Sequence, residues 1–452
     1  MSPELVTIAA AALFVALILI EVPVAFALAV SGAAGIAVLA GPHVAFSAIA
    51  SAPYTAVAKY DLLILPMFIL LGAIVANAGI AERIFGAANR LVGWLPGGLG
   101  ITTIAACTIF GGISGSSVAD AATLGRVSIG EMRAHGYSAR FSAGLVAASG
   151  MIAILIPPSI PLVVYGILTG VPIGSLLLAG IIPGLMTAVL FAIYVAIRAA
   201  MLRRRARRTA DGAAVETVVT PAASEPGAPR RGSFSGIIYA GILFAVVVGG
   251  IYAGILTSTE AAAAGAFAAL LIAVFVSFKD RVPLWPMLGR SMREAAETSA
   301  MIFALLVGSA IFTFLLAYAQ VPTALASWAV SLSLPPWLIV ICFLAILIPL
   351  GMFLDGFSML LLTVPVAYPI IHQFGVDGVW FGVLVVTMIE LGLITPPVGL
   401  NVYVVAGVVD DLTVEEVFIG VSPFILLQLL VTALIFLFPQ IALFLPAMAM
   451  GT

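Results

Sequence analysis

Apolar runs of membrane-crossing length recur along almost the whole chain. Inside a bilayer every backbone N–H and C=O must be paired within the protein, and a helix of about 20 apolar residues achieves this across the hydrocarbon layer. The runs fall near 4–20, 23–41, 61–78, 97–133, 139–169, 173–201, 234–255, 257–278, 297–318, 336–373, 378–409 and 415–446. Composition agrees: 63% of residues are hydrophobic and 8% charged, against about 25% charged in a soluble domain. A water-soluble globule is excluded, and a net charge of -2 leaves no field for nucleic acid. Cys107 and Cys342 lie in apolar runs, which suits core packing and excludes a disulfide framework or a cysteine-held metal. The first run has Glu4 ahead of it and no basic leader, so it reads as a retained span.

Between the runs, stretches of mixed polarity at about 43–58, 79–92, 283–295 and 321–332 suit helices lying along the interface. Trp94, Trp285, Trp328, Trp337 and Trp380 all fall beside segment ends, where an indole ring sits half in lipid and half in water. The segment 202–233, with RRRARR followed by a Pro, Ala, Gly and Glu-rich tract, reads as a solvated basic linker on the cytoplasmic side. Arg133, Arg140, Lys279, Arg281, Arg290 and Arg293 fall on the same side when spans are counted. Counting outward places both termini on the opposite, periplasmic side.

Overlaying the two halves at an offset of 239 residues pairs Pro96 with Pro335, Gly112 with Gly351, Gly136 with Gly375, Pro157 with Pro396 and Pro158 with Pro397. Glycine and proline restrict backbone conformation in ways other residues do not, so their shared register implies a shared backbone path. Five crossings separate the copies, and an odd number inverts one relative to the other. In each copy a long run with a polar or glycine-rich center, GGISGSS at 111–117 and GMFLDG at 351–356, reads as a re-entrant hairpin (97–133 and 336–373). Each hairpin precedes a helix broken at paired prolines, IPPSIP within 139–169 and TPPVGLN within 378–409, which frees backbone carbonyls at the break. Inverted repeats with broken helices at the midplane describe secondary transporters.

At these residues the chain resembles a known family, the large membrane subunit (DctM type) of the tripartite ATP-independent periplasmic (TRAP) transporters. The resemblance is carried by LPMFILLG (65–72), FGGISGSSVADAATLG (110–125), IPPSIPLVVYG (156–166), AGIIPGL (179–185), TSTEAAA (257–263), GMFLD (351–355) and TPPVGLN (395–401). The chain departs from the family pattern at TSTEAA, at Gly356 and in SGMIAILIPPS (149–159). The resemblance implies sodium-coupled uptake of an organic acid, such as a C4-dicarboxylate or sialic acid, at the bacterial inner membrane by an elevator motion. It implies two partners, a small membrane subunit (DctQ type) and a periplasmic solute-binding protein. No four-helix block precedes residue 1 here, so the separate rather than the fused arrangement is expected.

Sodium is a hard cation that takes oxygen ligands. The candidate ligands are Gly112, Ser114, Ser116 and Ser159 in the first copy and Gly351, Asp355, Thr395, Pro396 and Gly399 in the second. Candidate substrate contacts are Ser117, Asp120, Arg126 and Asn401. Carboxylates inside apolar segments are costly unless paired or facing a polar cavity, which singles out Asp120 and Asp355; capping a helix is the alternative role for Asp355. Arg126 either forks a carboxylate or snorkels to the interface. Glu390 could join a polar cluster near the second break, and Glu260 marks a helix start. No His has metal-ligand spacing, and there is no P-loop lysine or nucleophile–histidine set, so an ATP-driven pump or a membrane enzyme is not expected and no cofactor is implied.

The expected architecture is an all-α polytopic membrane protein with inverted repeats: scaffold helices at 1–60, a first repeat at 61–201, the linker at 202–233, scaffold helices at 234–296 and a second repeat at 297–452. The alternative function is a stand-alone ion-coupled carboxylate transporter or cation antiporter.

Overall fold

The computed structural model of the chain describes residues 2–208, 234–409 and 411–450, with side chains of 203–208 and 450 left aside. The linker expected at 202–233 therefore lies, from residue 209 on, outside the described residues. Every regular element among the described residues is helical. Seven helices there are long and apolar enough to cross a membrane, and a bent pair makes an eighth.

The chain opens with α1 (Pro3–Leu19), α2 (Val24–Ala40) and α3 (Pro42–Val57). It continues through α4 (Ile64–Asn77), α5 (Ile80–Val92), α6 (Gly98–Ser114), α7 (Ser117–Ala134), α8 (Ala139–Leu155), α9 (Ile160–Thr169) and α10 (Ile173–Arg208). The middle holds α11 (Ser235–Phe244), a π-helical turn at Ala245–Gly249, α12 (Gly250–Tyr252), α13 (Ser258–Asp280) and α14 (Leu284–Tyr318). Last come α15 (Val321–Ser331), α16 (Pro336–Gly351), α17 (Gly356–Gln373), α18 (Gly378–Gly392), α19 (Leu400–Val408), α20 (Val414–Leu437) and α21 (Gln440–Met450).

Both long runs turn back on themselves. α6 stops at Gly115, whose φ of +63° and N–H bond to Gly111 close a left-handed cap, and Ser116 then caps α7 by accepting from the Ala119 N–H. Thr103 near the start of α6 meets Met132 near the end of α7, so the arms run antiparallel. In the second copy Ile339 and Ile370 share a buried cluster across α16 and α17. The first proline break bends α8 against α9 by 43°. Both Pro-Pro bonds, Pro157–Pro158 and Pro396–Pro397, are cis.

The copies pack reciprocally. Each hairpin lies on its own broken helix, α6 and α7 on α8, α16 and α17 on α18. Each return arm also meets the other copy: α17 packs on α9 and α7 on α19, while α20 lies on α8 and α10 on α18. Close approach needs glycine here. A Cβ on Gly144 would stand 2.1 Å from the Gly420 carbonyl carbon where α8 crosses α20, and one on Gly351 would stand 2.6 Å from Gly392 where α16 crosses α18. Beside this body, α2 and α14 pack closely enough that a Cβ on Gly308 would stand 2.2 Å from the Ala25 carbonyl oxygen.

Three local expectations change. The interfacial stretch at 283–295 and the span at 297–318 form one helix, Leu284–Tyr318; its Met, Arg, Glu and Ala residues favour helix, and no proline or glycine separates the two parts. Trp94, Trp285, Trp328 and Trp337 are exposed, but Trp380 is buried, donates its indole N–H to the Ile435 carbonyl at 2.8 Å and packs on Phe436. A polar partner inside the protein replaces the membrane interface for that ring. Cys107 is buried as expected, whereas Cys342 lies exposed on α16.

Candidate functional site

The first hairpin tip rests on the first proline break. A Cβ on Gly112 would stand 2.7 Å from the Ile156 side-chain atom Cγ2, and one on Gly115 would stand 2.9 Å from the Pro158 carbonyl oxygen, so both glycines permit the close approach. Ser159 caps α9 by accepting from the Leu162 N–H and is fully buried.

Behind this tip sits a buried carboxylate. Asp120 is 0% exposed and accepts from the Ser114 hydroxyl through Oδ1 at 2.5 Å, while its Oδ2 has no partner. Gly111 makes room for it, because a Cβ there would lie 2.4 Å from Oδ2. Glu390 on α18 is also buried, lies near enough to Asp120 for their charges to interact, and has the Ser117 hydroxyl on it. Its Oε2 has no partner, and neither do the Ser149 hydroxyl and both side-chain polar atoms of the fully buried Asn401. Among the described residues neither Asp120 nor Glu390 meets a basic side chain in an ion pair. Burying charge without a partner costs several kcal/mol. The arrangement therefore favours a small cation or protons held by hydroxyl, carboxylate and carbonyl oxygens.

The second tip is built differently. Asp355 caps α17, accepting from the N–H groups of Phe357 (3.0 Å) and Ser358 (3.1 Å) and from the Ser358 hydroxyl. Its carboxylate is thus committed locally, the capping alternative. Gly351 packs against Gly392 beside the second break. There the Thr395 hydroxyl bonds the Leu391 carbonyl at 2.6 Å, Pro396 is exposed, and Gly399 takes a φ of +59° under Phe418.

A cavity of about 510 Å³ lies among the first tip, α4 and α14. Ser114, Ser116 and Ile160 line it with Phe357 from the second tip, so both tips reach one space. Its wall also includes Asn77, Glu82, Thr123, Glu294 and Thr298, and the exposed Arg126 marks where it opens. The Asn77 amide donates to Glu294 at 2.8 Å, tying α4 to α14. Arg126 is exposed and forms no ion pair among the described residues.

Of the expected residues, Gly112, Ser114, Ser116, Ser117, Asp120 and Ser159 gather around the first tip, and Arg126 faces the same cavity two turns along α7. Thr395, Pro396, Gly399 and Asn401 belong to the second break and do not line the cavity. Sequence reasoning gave Glu390 a minor part and missed Ser149, Asn77 and Glu294. A lone carboxylate in an apolar helix was the available signal for Glu390; nothing in the sequence marks the others.

A polytopic helical fold with paired hairpins and broken helices defines a multi-pass membrane protein. The DctM component of the tripartite ATP-independent periplasmic transporters matches over residues 11–441, and the chain belongs to that family. It is 33% identical over 412 residues to the C4-dicarboxylate TRAP transporter large permease protein DctM of Rhodobacter capsulatus, covering 87% of this chain and 88% of that one. It is 33% identical over 396 residues to the sialic acid large permease SiaM of Vibrio cholerae, with the same coverage. It is 32% identical to the isethionate permease protein DctMQ of Oleidesulfovibrio alaskensis, covering 95% of this chain and 65% of that one. In fold it is similar to the YdaH transporter of Alcanivorax borkumensis, with a TM-score of 0.64, 13% identity and 88% of each chain covered.

Proposed function

We propose that this chain is the large membrane subunit of a sodium-coupled transporter that imports an organic acid delivered by a periplasmic solute-binding protein, working with a small membrane subunit in the bacterial inner membrane. The observation that carries this reading is the pair Asp120 and Glu390, buried without a basic partner among the described residues beside a hairpin tip rich in serine hydroxyls. Sodium takes such oxygens, and its charge offsets the cost of the buried carboxylates. Ser114, Ser116, Ser159 and the backbone of Gly112 are the remaining ligand candidates on that side; the Gly351, Thr395, Pro396 and Gly399 backbone serves the second copy. Asp355 shapes the second tip. Ser117 and Asn401 stay as candidate substrate contacts.

The relatives named for C4-dicarboxylate and sialic acid permeases support a carboxylate as cargo. Arg126, unpaired at the cavity mouth, suits an anion by its planar fork. The basic run at 203–208, kept on the cytoplasmic side, supports a reading in which both termini are periplasmic. The hairpins and broken helices move together past α4 and α14, with the cavity as the seam. Cation binding orders the tip, and the acid then completes it, so a half-loaded domain does not cross readily.

Proteoliposomes holding this chain with its small subunit and solute receptor test the reading. Uptake of labelled acid is expected to rise at least about ten-fold when an inward sodium gradient is imposed, a factor worth about 1.4 kcal/mol. Uptake indifferent to sodium refutes the coupling, and full uptake by this chain alone points to the stand-alone transporter.

A further inference from the structure

We propose that a second, smaller cavity of this chain binds the phosphate group of an anionic phospholipid. The cavity, about 150 Å³, lies between the turn that joins α7 to α8 and the distal part of α10, and is lined by Gly136, Ser138, Phe141, Val195, Arg198 and Leu202 among others. At about 30 Å³ per water it has room for a phosphate-sized group with a few waters. None of its residues lines the transport cavity.

Three features give it its chemistry. The Arg198 guanidinium stands 4.3 Å from the Phe141 ring center and has no carboxylate partner among the described residues. Its neighbours do: Arg133 pairs with Asp411 at 3.3 Å and Arg140 with Glu416 at 2.9 Å. A guanidinium fixed on an aromatic face keeps its N–H fork free for an oxyanion. The Ser138 hydroxyl, ahead of α8, makes no capping bond and can donate to the same anion. Outside the cavity, Ile193 and Ile197 lie on the bilayer side of Arg198 along α10 and are 48% and 52% exposed, a track for an acyl chain below the headgroup position.

Position selects the source. The RRRARR run at 203–208 follows Arg198 by about one turn, and such basic clusters mark the leaflet surface where anionic headgroups concentrate. A soluble phosphate offers the same oxygens but no acyl chain to run along Ile197 and Ile193 from the same molecule.

Native mass spectrometry of the full chain in detergent tests this. With equal phosphatidylglycerol and phosphatidylcholine present, retention of the anionic lipid is expected to exceed that of the neutral one about five-fold, the factor associated with one basic residue at an anionic surface. Arg198→Gln is expected to abolish most of that preference, while changing Arg203, Arg204 and Arg205 together to Gln keeps at least about half of it. A preference that survives Arg198→Gln, or that is lost only in the triple variant, overturns the proposal. Millimolar inorganic phosphate that displaces the lipid assigns the site to a free anion and overturns it too. Should Arg198→Gln not fold, Ser138→Ala at its half-buried turn carries the test: a drop of about two-fold or more supports the site, and unchanged retention sinks it.

Discussion

At the scale of single residues, the chain places a carboxylate where solvent cannot reach it and gives it one hydroxyl. Asp120 has Ser114 on Oδ1 and nothing on Oδ2. Replacing it with Asn keeps the shape and removes the charge that a cation would neutralise. Asp120→Asn is therefore expected to lower sodium-driven uptake at least about ten-fold and raise the sodium concentration for half-maximal uptake, with thermal unfolding little changed because no ion pair is lost. Unchanged sodium dependence in that variant removes Asp120 from the ion site. Asp355 gives the opposite expectation, since its oxygens already serve Phe357 and Ser358. Asp355→Asn preserves the cap and should leave the sodium response near normal, whereas Asp355→Ala costs about 1 kcal/mol of stability, read as a lower unfolding temperature.

At the scale of elements, termination signals decide where helices stop and how closely they pack. Thr257 and Glu260 form a complete capping box at the start of α13, and Thr413 and Glu416 form another at α20. That accounts for the TSTEAA segment, in which Ser258 occupies the first helical position without loss of the cap. Crossing points rest on glycine. Gly144→Ala would drive a methyl into the Gly420 backbone, and the helices α8 and α20 can part only by losing contacts along both. We expect a loss of about 1–3 kcal/mol, measured as denaturation in detergent; a variant as stable as the parent means the two helices are less tightly joined than described.

At the scale of the whole molecule, the proposed sliding of the hairpins and broken helices as one body past a second body that holds α4 turns on one close contact. Gly72 on α4 touches the first hairpin tip so closely that a Cβ would stand 2.9 Å from the Ser114 carbonyl oxygen. If the hairpin body slides past α4, Gly72→Ala obstructs the path without touching the interior of either body. Uptake is expected to fall at least about five-fold while the protein stays folded, its unfolding temperature lowered by several degrees in keeping with a cost of about 1–3 kcal/mol. Normal transport by that variant argues against sliding at this seam.

What the sequence determined by itself was where most of the apolar helices lie and in what order. Hydrophobic run length bounded the spans, paired prolines located the breaks at Pro157 and Pro396, and a polar glycine-rich center in a long run marked each tip, because these are local consequences of backbone hydrogen bonding and solvation. The repeat was legible for the same reason, since Gly136 and Gly375 both take positive φ. Only tertiary structure decided that α7 crosses to the other copy to lie on α19, that Glu390 comes within charge–charge range of Asp120 from 270 positions away, and that Trp380 points inward. In a chain apolar on nearly every face, hydrophobicity says which segments leave water but not which of their sides meet protein and which meet lipid; that choice is made by close packing at glycines and by where buried polar atoms find, or lack, a partner.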